Sequence, residues 1–194
     1  MKKGLTNKIV FIVGMSGAGK SMVSDELVKK DFVFLRLGQI VLDDIKNNGL
    51  ELNEANEKKI RESYRKKYGM GAFAVYNIPK FDELLKRSNV VGDGLYSWSE
   101  YKILKERYGN SMYVVAVYTP PKLRYKRLEN RSIANDQKQR FRSFTKEEAQ
   151  LRDYAEVENI EKGGPIAMAD FTIINTGTID KLKSAVEDIL KEIK

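Results

Sequence analysis

An α/β fold, a parallel sheet with helices on both faces, is what this sequence predicts, and three observations predict it. Short apolar runs alternate with helical stretches along the whole chain, the pattern that β-α-β units impose. The first run, Lys8 to Val13 (KIVFIV), is nearly all apolar, as a strand covered on both faces must be. Directly after it, Gly14-Met15-Ser16-Gly17-Ala18-Gly19-Lys20-Ser21 spells a complete G-x-x-x-x-G-K-S phosphate loop.

The elements follow in order. Ser21 to Lys30 (SMVSDELVKK) is helical, with acidic residues early and lysines late, the sense the helix dipole favours. Asp31 to Leu37 (DFVFLRL) reads as strand two, and Gly38 to Asn47 as a short helix closed by Asn48-Gly49. Residues 53–68 are strongly charged and helical, with Ile60, Tyr64 and Tyr68 at i, i+4 and i+8 as the apolar edge. Gly69 to Arg87 holds a further helix, which Pro79 is expected to interrupt or restart. Asn89 to Asp93 (NVVGD) is strand three, followed by Gly94 and a helix from Ser97 to Tyr108.

Ser111 to Tyr118 (SMYVVAVY) has three valines in a buried-type run and is strand four. Thr119-Pro120-Pro121 opens a helix that runs to Arg131. From Ser132 to Lys146 the chain is polar and basic without apolar periodicity, and Thr145-x-x-Glu148 is a capping box that starts another helix. Phe171 to Ile174 (FTII) is the last strand. The final helix carries Ile179, Leu182, Val186, Ile189, Leu190 and Ile193, an apolar stripe of helical period.

At 194 residues the chain makes a single domain, 1–194, large enough to bury about 70% of its unfolded surface. It has no cysteine and no histidine. Disulfides, thiolate metal sites and imidazole catalysis are therefore excluded, and acid–base work falls to carboxylates, lysines and tyrosines. The lack of cysteine fits a reducing, cytoplasmic setting. The apolar run 9–13 is too short for the core of a signal peptide, and no segment approaches 18 apolar residues, so no membrane partner is expected. With 35 basic against 27 acidic residues the net charge is +8. Nucleotide phosphates answer such a surplus; nucleic acid is the less favoured partner, because the aromatics form no stacking platform. Nothing in the sequence speaks to oligomeric state.

Strand, glycine loop and helix together make the loop chemical. Its glycines let backbone N–H groups turn toward phosphate oxygens, and the helix start adds partial positive charge. Gly14 through Ser21 are thus expected on the phosphates of ATP, with Lys20 bridging the terminal pair and Ser21 on Mg²⁺. Asp93 ends an apolar strand, where a carboxylate holds Mg²⁺ or accepts a hydroxyl proton. Arg124, Arg127 and Arg131, at i, i+3 and i+7, share a helix face and are expected to aim at one phosphate cluster. Arg140 and Arg142 in the polar segment, and Arg152 beyond it, suit a mobile lid over 132–150. Arg127, Arg131 and Arg152 are the candidates for cations over the transferring phosphoryl group, Arg124 for ATP binding. Arg61 and Arg65 sit one turn apart on the charged helix, in an insertion over 38–88 that would cover the acceptor. Asn175 follows the last strand, where a turn can meet the nucleotide base.

These segments resemble the P-loop nucleotide and nucleoside kinases: G-M-S-G-A-G-K-S, the Asp93-Gly94 step, V-Y-T-P-P-K-L-R-Y-K-R-L at 117–128, and I-A-M-A-D-F-T-I-I-N at 166–175. More narrowly they resemble the archaeal-type adenylate-kinase-related proteins and the dephospho-CoA kinases, from residue 8 to 190. That resemblance implies a three-layer P-loop sandwich around a five-stranded parallel sheet, an acceptor-binding insertion after strand two and a lid after strand four. It implies ATP as phosphoryl donor, Mg²⁺ as cofactor and a nucleotide as acceptor, near Gly38, Gln39, Arg61, Arg65, Gly94 and Tyr96. Adenylate kinases grip the acceptor phosphate with an arginine where this chain reads Leu37 to Leu42, and with another where it has Tyr96. A monophosphate acceptor then needs Arg61 or Arg65 as substitute. Dephospho-CoA kinases place an aspartate near Gln39. The alternatives are transfer to a ribose hydroxyl and, in another class, a P-loop ATPase that binds RNA or a protein partner.

Overall fold

The computed structural model describes residues 7–130 and 144–193. Its frame is a five-stranded sheet of β1 (Ile9–Val13), β2 (Val33–Arg36), β3 (Val90–Asp93), β4 (Met112–Tyr118) and β5 (Phe171–Ile174). The order is β2-β3-β1-β4-β5 and every pairing is parallel. All five carboxyl ends therefore share one edge. In the ladder Ile12 lies beside Asp93, and Asp93 beside Arg36.

Side chains of a strand alternate between faces, and β1 feeds two cores in that way. Ile9, Phe11 and Val13 pack with Val41, Phe73, Phe81 and Leu104 on one side. There lie α2 (Gln39–Asn47), α4 (Ala72–Leu84) and α5 (Trp98–Tyr108). Val10 and Ile12 pack with Val23, Leu27, Leu182 and Val186 on the other, from α1 (Lys20–Val28) and α9 (Ile179–Glu192). Three layers result, as expected. Each fully buried aliphatic or aromatic side chain contributes about 1.5–3 kcal/mol, which makes β1 the most heavily buried strand.

Two expectations are corrected. Pro79 does not interrupt its helix: α4 runs through it. Asn77 donates to Leu37 O (2.9 Å) and Phe73 O (2.8 Å), and Phe73, Ala74 and Phe81 are buried on either side. That packing outweighs the roughly 3 kcal/mol a mid-helix proline costs. Strand two begins at Val33, because Asp31 takes a left-handed turn (φ 65°) that an extended strand cannot contain. A short helix α8 (Gly163–Ala167) was not foreseen.

The remaining helices are α3 (Glu54–Tyr68), α6 (Pro121–Glu129) and α7 (Lys146–Ile160). The Thr145 capping box is present at α7, with Thr145 and Glu148 bonding reciprocally. Arg131, Arg140, Arg142 and the expected lid up to residue 143 lie outside the described residues. No described helix is long and apolar enough to cross a membrane.

Candidate active site

The loop between β1 and α1 depends on glycine at both ends. Gly14 (φ 137°) and Gly19 (φ 102°) are in the left-handed region, and a Cβ at either would strike Val117 O or the Asn175 amide. No side chain caps α1, which leaves the amides of its first turn to a ligand.

A bracket of polar side chains holds the loop from behind. Asn175 Nδ2 donates to Ala18 O (2.8 Å), and Thr119 Oγ1 lies 3.1 Å from the same oxygen. Arg124 donates from Nη1 to Ser16 O (2.9 Å) and from Nε to Thr119 O (3.0 Å). The two oxygens of Asp153 on α7 take its Nη1 and Nη2 at 3.0 and 2.6 Å, and Tyr125 Oη donates to Asp153 at 2.9 Å. Arg127 donates to Thr119 Oγ1 (3.2 Å) and to Asn175 O (3.0 Å).

The three groups expected on ATP or its phosphoryl group, Arg124, Arg127 and Asn175, are therefore corrected to this bracket. Arg124 and Asn175 are buried and bound to protein oxygens, and Arg127 is turned to the ends of β4 and β5. Asp153→Ala would leave a guanidinium buried without its counter-charge. It should lower stability by about 3–5 kcal/mol, read by denaturant unfolding. An unchanged midpoint would show that the pair is not needed to hold the loop.

In front of the loop lies a cleft of about 1070 Å³. Ser16, Gly17, Gly19, Lys20 and Ser21 form its floor. Lys20 Nζ donates to Met15 O (3.2 Å). Burial, with Lys162 and Arg152 nearby, pushes its pKa down to about 7, although Asp93 and Glu156 oppose the shift. Asp93, Gly94 and Tyr96 line the middle of the cleft. Gly38, Arg61 and Arg65 line the part formed by the insertion.

Arg61 is paired with Glu57 (3.1 Å). The Arg65 guanidinium lies 5.7 Å from the Phe73 ring centre, and its Nε is buried without a hydrogen-bond partner among the described residues. Beside it, buried Glu100 accepts the N–H groups of Tyr96 and Ser97 through one oxygen (2.9 Å each), while its other oxygen has no partner among the described residues. Burial pushes the Glu100 pKa up to about 7. Gln39, expected near the acceptor, donates its amide to Asp43 (3.0 Å) along its own helix.

Three residues in or beside this cleft escaped the sequence reading. Arg36 lines it from the end of β2. Its signal was a cation closing an apolar strand at the carboxyl edge, where ligands collect. Glu156 lines it from α7, and Lys162 lies behind Glu156, almost wholly buried. Neither carried a local signal, because both sit in charged stretches that read as solvated. Arg152, expected here, does line the cleft and donates from Nε to Glu156 (3.0 Å).

Among the described residues no group of three or more acidic side chains could hold a metal alone. Ser21 and Asp93, facing one cleft, offer two oxygen donors. That fits Mg²⁺, which takes one or two protein oxygens and completes its shell with phosphate and water.

The parallel sheet, the glycine loop before α1 and the cleft at the carboxyl edge define a P-loop α/β nucleoside triphosphatase fold of the kinase-like type. The model of the AAA domain family matches residues 10–163. The chain belongs to that family and also to the UPF0200 proteins. The UPF0200 protein of Thermococcus kodakarensis is 34% identical over 187 residues, covering 95% of this chain and 97% of the relative. In the same fold, TT1252 from Thermus thermophilus has a TM-score of 0.64 at 17% identity, covering 99% of this chain and all of that one. The shikimate kinase from Acinetobacter baumannii in complex with shikimate has a TM-score of 0.55 at 21% identity, covering 98% and 96%.

Proposed function

We propose that this protein is an ATP-dependent small-molecule kinase that transfers the γ-phosphoryl group to a nucleoside monophosphate or related nucleotide. The observation that carries the reading is one cleft holding the glycine loop on one side, Asp93 in the middle and Arg36, Arg61 and Arg65 on the other. Phosphoryl transfer asks little covalent chemistry of a protein; it needs positioned cations and excluded water. Lys20 and the loop amides take the β- and γ-phosphates, Ser21 and Asp93 hold Mg²⁺, and Arg152 faces the transferring group. Mg²⁺ would neutralise charge that builds on the phosphate oxygens. Arg36, Arg65 and Arg61 take the acceptor's anionic group. Arg36 ends β2 immediately before the Leu37–Leu42 segment, where adenylate kinases carry the arginine that this chain lacks. The segment 132–150 serves as the lid.

A second reading, transfer to a hydroxyl as in dephospho-CoA kinases, is favoured by one feature: a carboxylate, Asp93, stands at the middle of the cleft. Coupling separates both from a P-loop ATPase. A kinase hydrolyses ATP slowly alone and turns over fast only with its acceptor, so a panel of nucleoside monophosphates and dephospho-CoA, assayed for ADP release and phosphorylated product, tests the reading. Fast hydrolysis that no acceptor accelerates would overturn it.

Lys20 also sets a pH dependence. Its pKa is about 7 in the free protein, and a triphosphate beside it raises that value. Between the two values binding takes up a proton, so ATP–Mg²⁺ affinity is flat below pH 7. Above pH 7 it falls, by up to about tenfold per unit. Calorimetry at pH 6 and 8.5, in buffers of different ionisation heat, should show proton uptake at the higher pH alone. Equal affinity and no uptake would refute the assignment.

A further inference from the structure

We propose that Glu156 is a positioning residue: it holds the Arg152 guanidinium at the phosphoryl end of the cleft, and the buried ammonium of Lys162 holds Glu156. The proposal rests on the kinase reading above and concerns how its cleft is kept ready for the third phosphate.

Lys162 follows the end of α7 and is 2% exposed. Its Nζ bonds Glu156 Oε2 and lies 4.6 Å from the centre of the Tyr96 ring, so a carboxylate and an aromatic face meet the charge directly. Glu156 Oε1 takes the Nε proton of Arg152 at 3.0 Å. One carboxylate thus serves two cations of unlike exposure. Lys162 is locked inside, whereas the Arg152 side chain is 36% exposed and lines the cleft.

Although burial opposes it, Lys162 and Arg152 hold the Glu156 pKa down to about 2, so the carboxylate stays charged across the physiological range. The charge is needed there. Lys20, Arg152 and Lys162 all crowd this corner, and each depresses or is depressed by another. With Glu156 present the cations can coexist before a nucleotide arrives. An arginine side chain has many rotamers, and ordering it in advance removes that cost from the binding step. The neighbouring Asp153 fastens the same turn of α7 to the back of the loop through Arg124, so the frame that carries Glu156 is itself anchored.

The test uses the full chain and two probes, the β,γ-imido analogue of ATP and ADP, each with Mg²⁺. Arg152 at the third phosphate would act on the analogue and not on ADP. Glu156→Gln is therefore expected to cut the preference for the analogue over ADP about tenfold or more, any loss shared by both probes being its effect on the Lys20 charge that Glu156 supports. In an Arg152→Ala background the same substitution should remove nothing further. If Glu156→Gln strands the Lys162 charge and fails to fold, the variant Glu156→Leu with Lys162→Met removes both charges together and carries the same expectation. A preserved preference in either folded variant overturns the proposal, as does an equal loss with and without Arg152. If the unaltered protein itself does not prefer the analogue to ADP, the kinase reading falls first, and this role with it.

Discussion

Lys20→Ala is expected to reduce phosphoryl transfer by about 10³-fold or more while leaving the fold intact. The side chain starts α1, its ammonium bonds Met15 O, and it belongs to neither apolar core. What it supplies is a cation on the floor of the cleft. Its pKa in the folded chain is depressed, so the protonated lysine is held less well folded than unfolded. Between pH 7 and the ordinary lysine value the unfolded chain binds the extra proton, and folding stability rises with pH in that window. Below it the charged lysine burdens the nucleotide-free fold. The alanine variant should therefore melt at the same or a higher temperature at pH 7 and lose the stabilisation that ATP–Mg²⁺ gives the parent. Full turnover in the variant would remove the central claim about the loop.

The second large effect is expected at Asp93. If Asp93 takes the proton of a hydroxyl acceptor, Asp93→Asn should slow turnover by about 10²–10⁴-fold with ATP–Mg²⁺ affinity unchanged. A monophosphate acceptor is already anionic and needs no base. In that case the loss should appear in the Mg²⁺ dependence, because the amide is a poor partner for the ion. The two outcomes separate the acceptor classes on one variant, and the Arg36→Ala variant supplies the complement by raising KM for an anionic acceptor. Survival of both turnover and metal dependence would make Asp93 a turn residue before Gly94, and the site would lie elsewhere.

Much of this architecture was legible in the sequence. The five strands, the loop, the capping box at Thr145 and the apolar stripe of α9 are patterns within a few residues, and local patterns survive folding when packing agrees with them. Pro79 shows the limit. Its local penalty was read correctly, and the burial of Phe73 and Phe81 around it overrode the penalty.

The arginines show the limit more sharply. Arg124 and Arg127 were grouped by helical spacing as phosphate ligands, and that spacing is real. Spacing tells which residues share a face, not what the face meets. Arg124 meets Asp153, 29 positions later in the chain, and Asn175 reaches Ala18 across 157 positions. The sequence by itself determined the strands, the parallel α/β class and the phosphate loop, since each is encoded by neighbours along the chain. Only the tertiary structure decided which cations face the cleft and which lie behind it. A guanidinium has the same charge in either place, and its role is set by whether a carboxylate from a distant helix is buried against it.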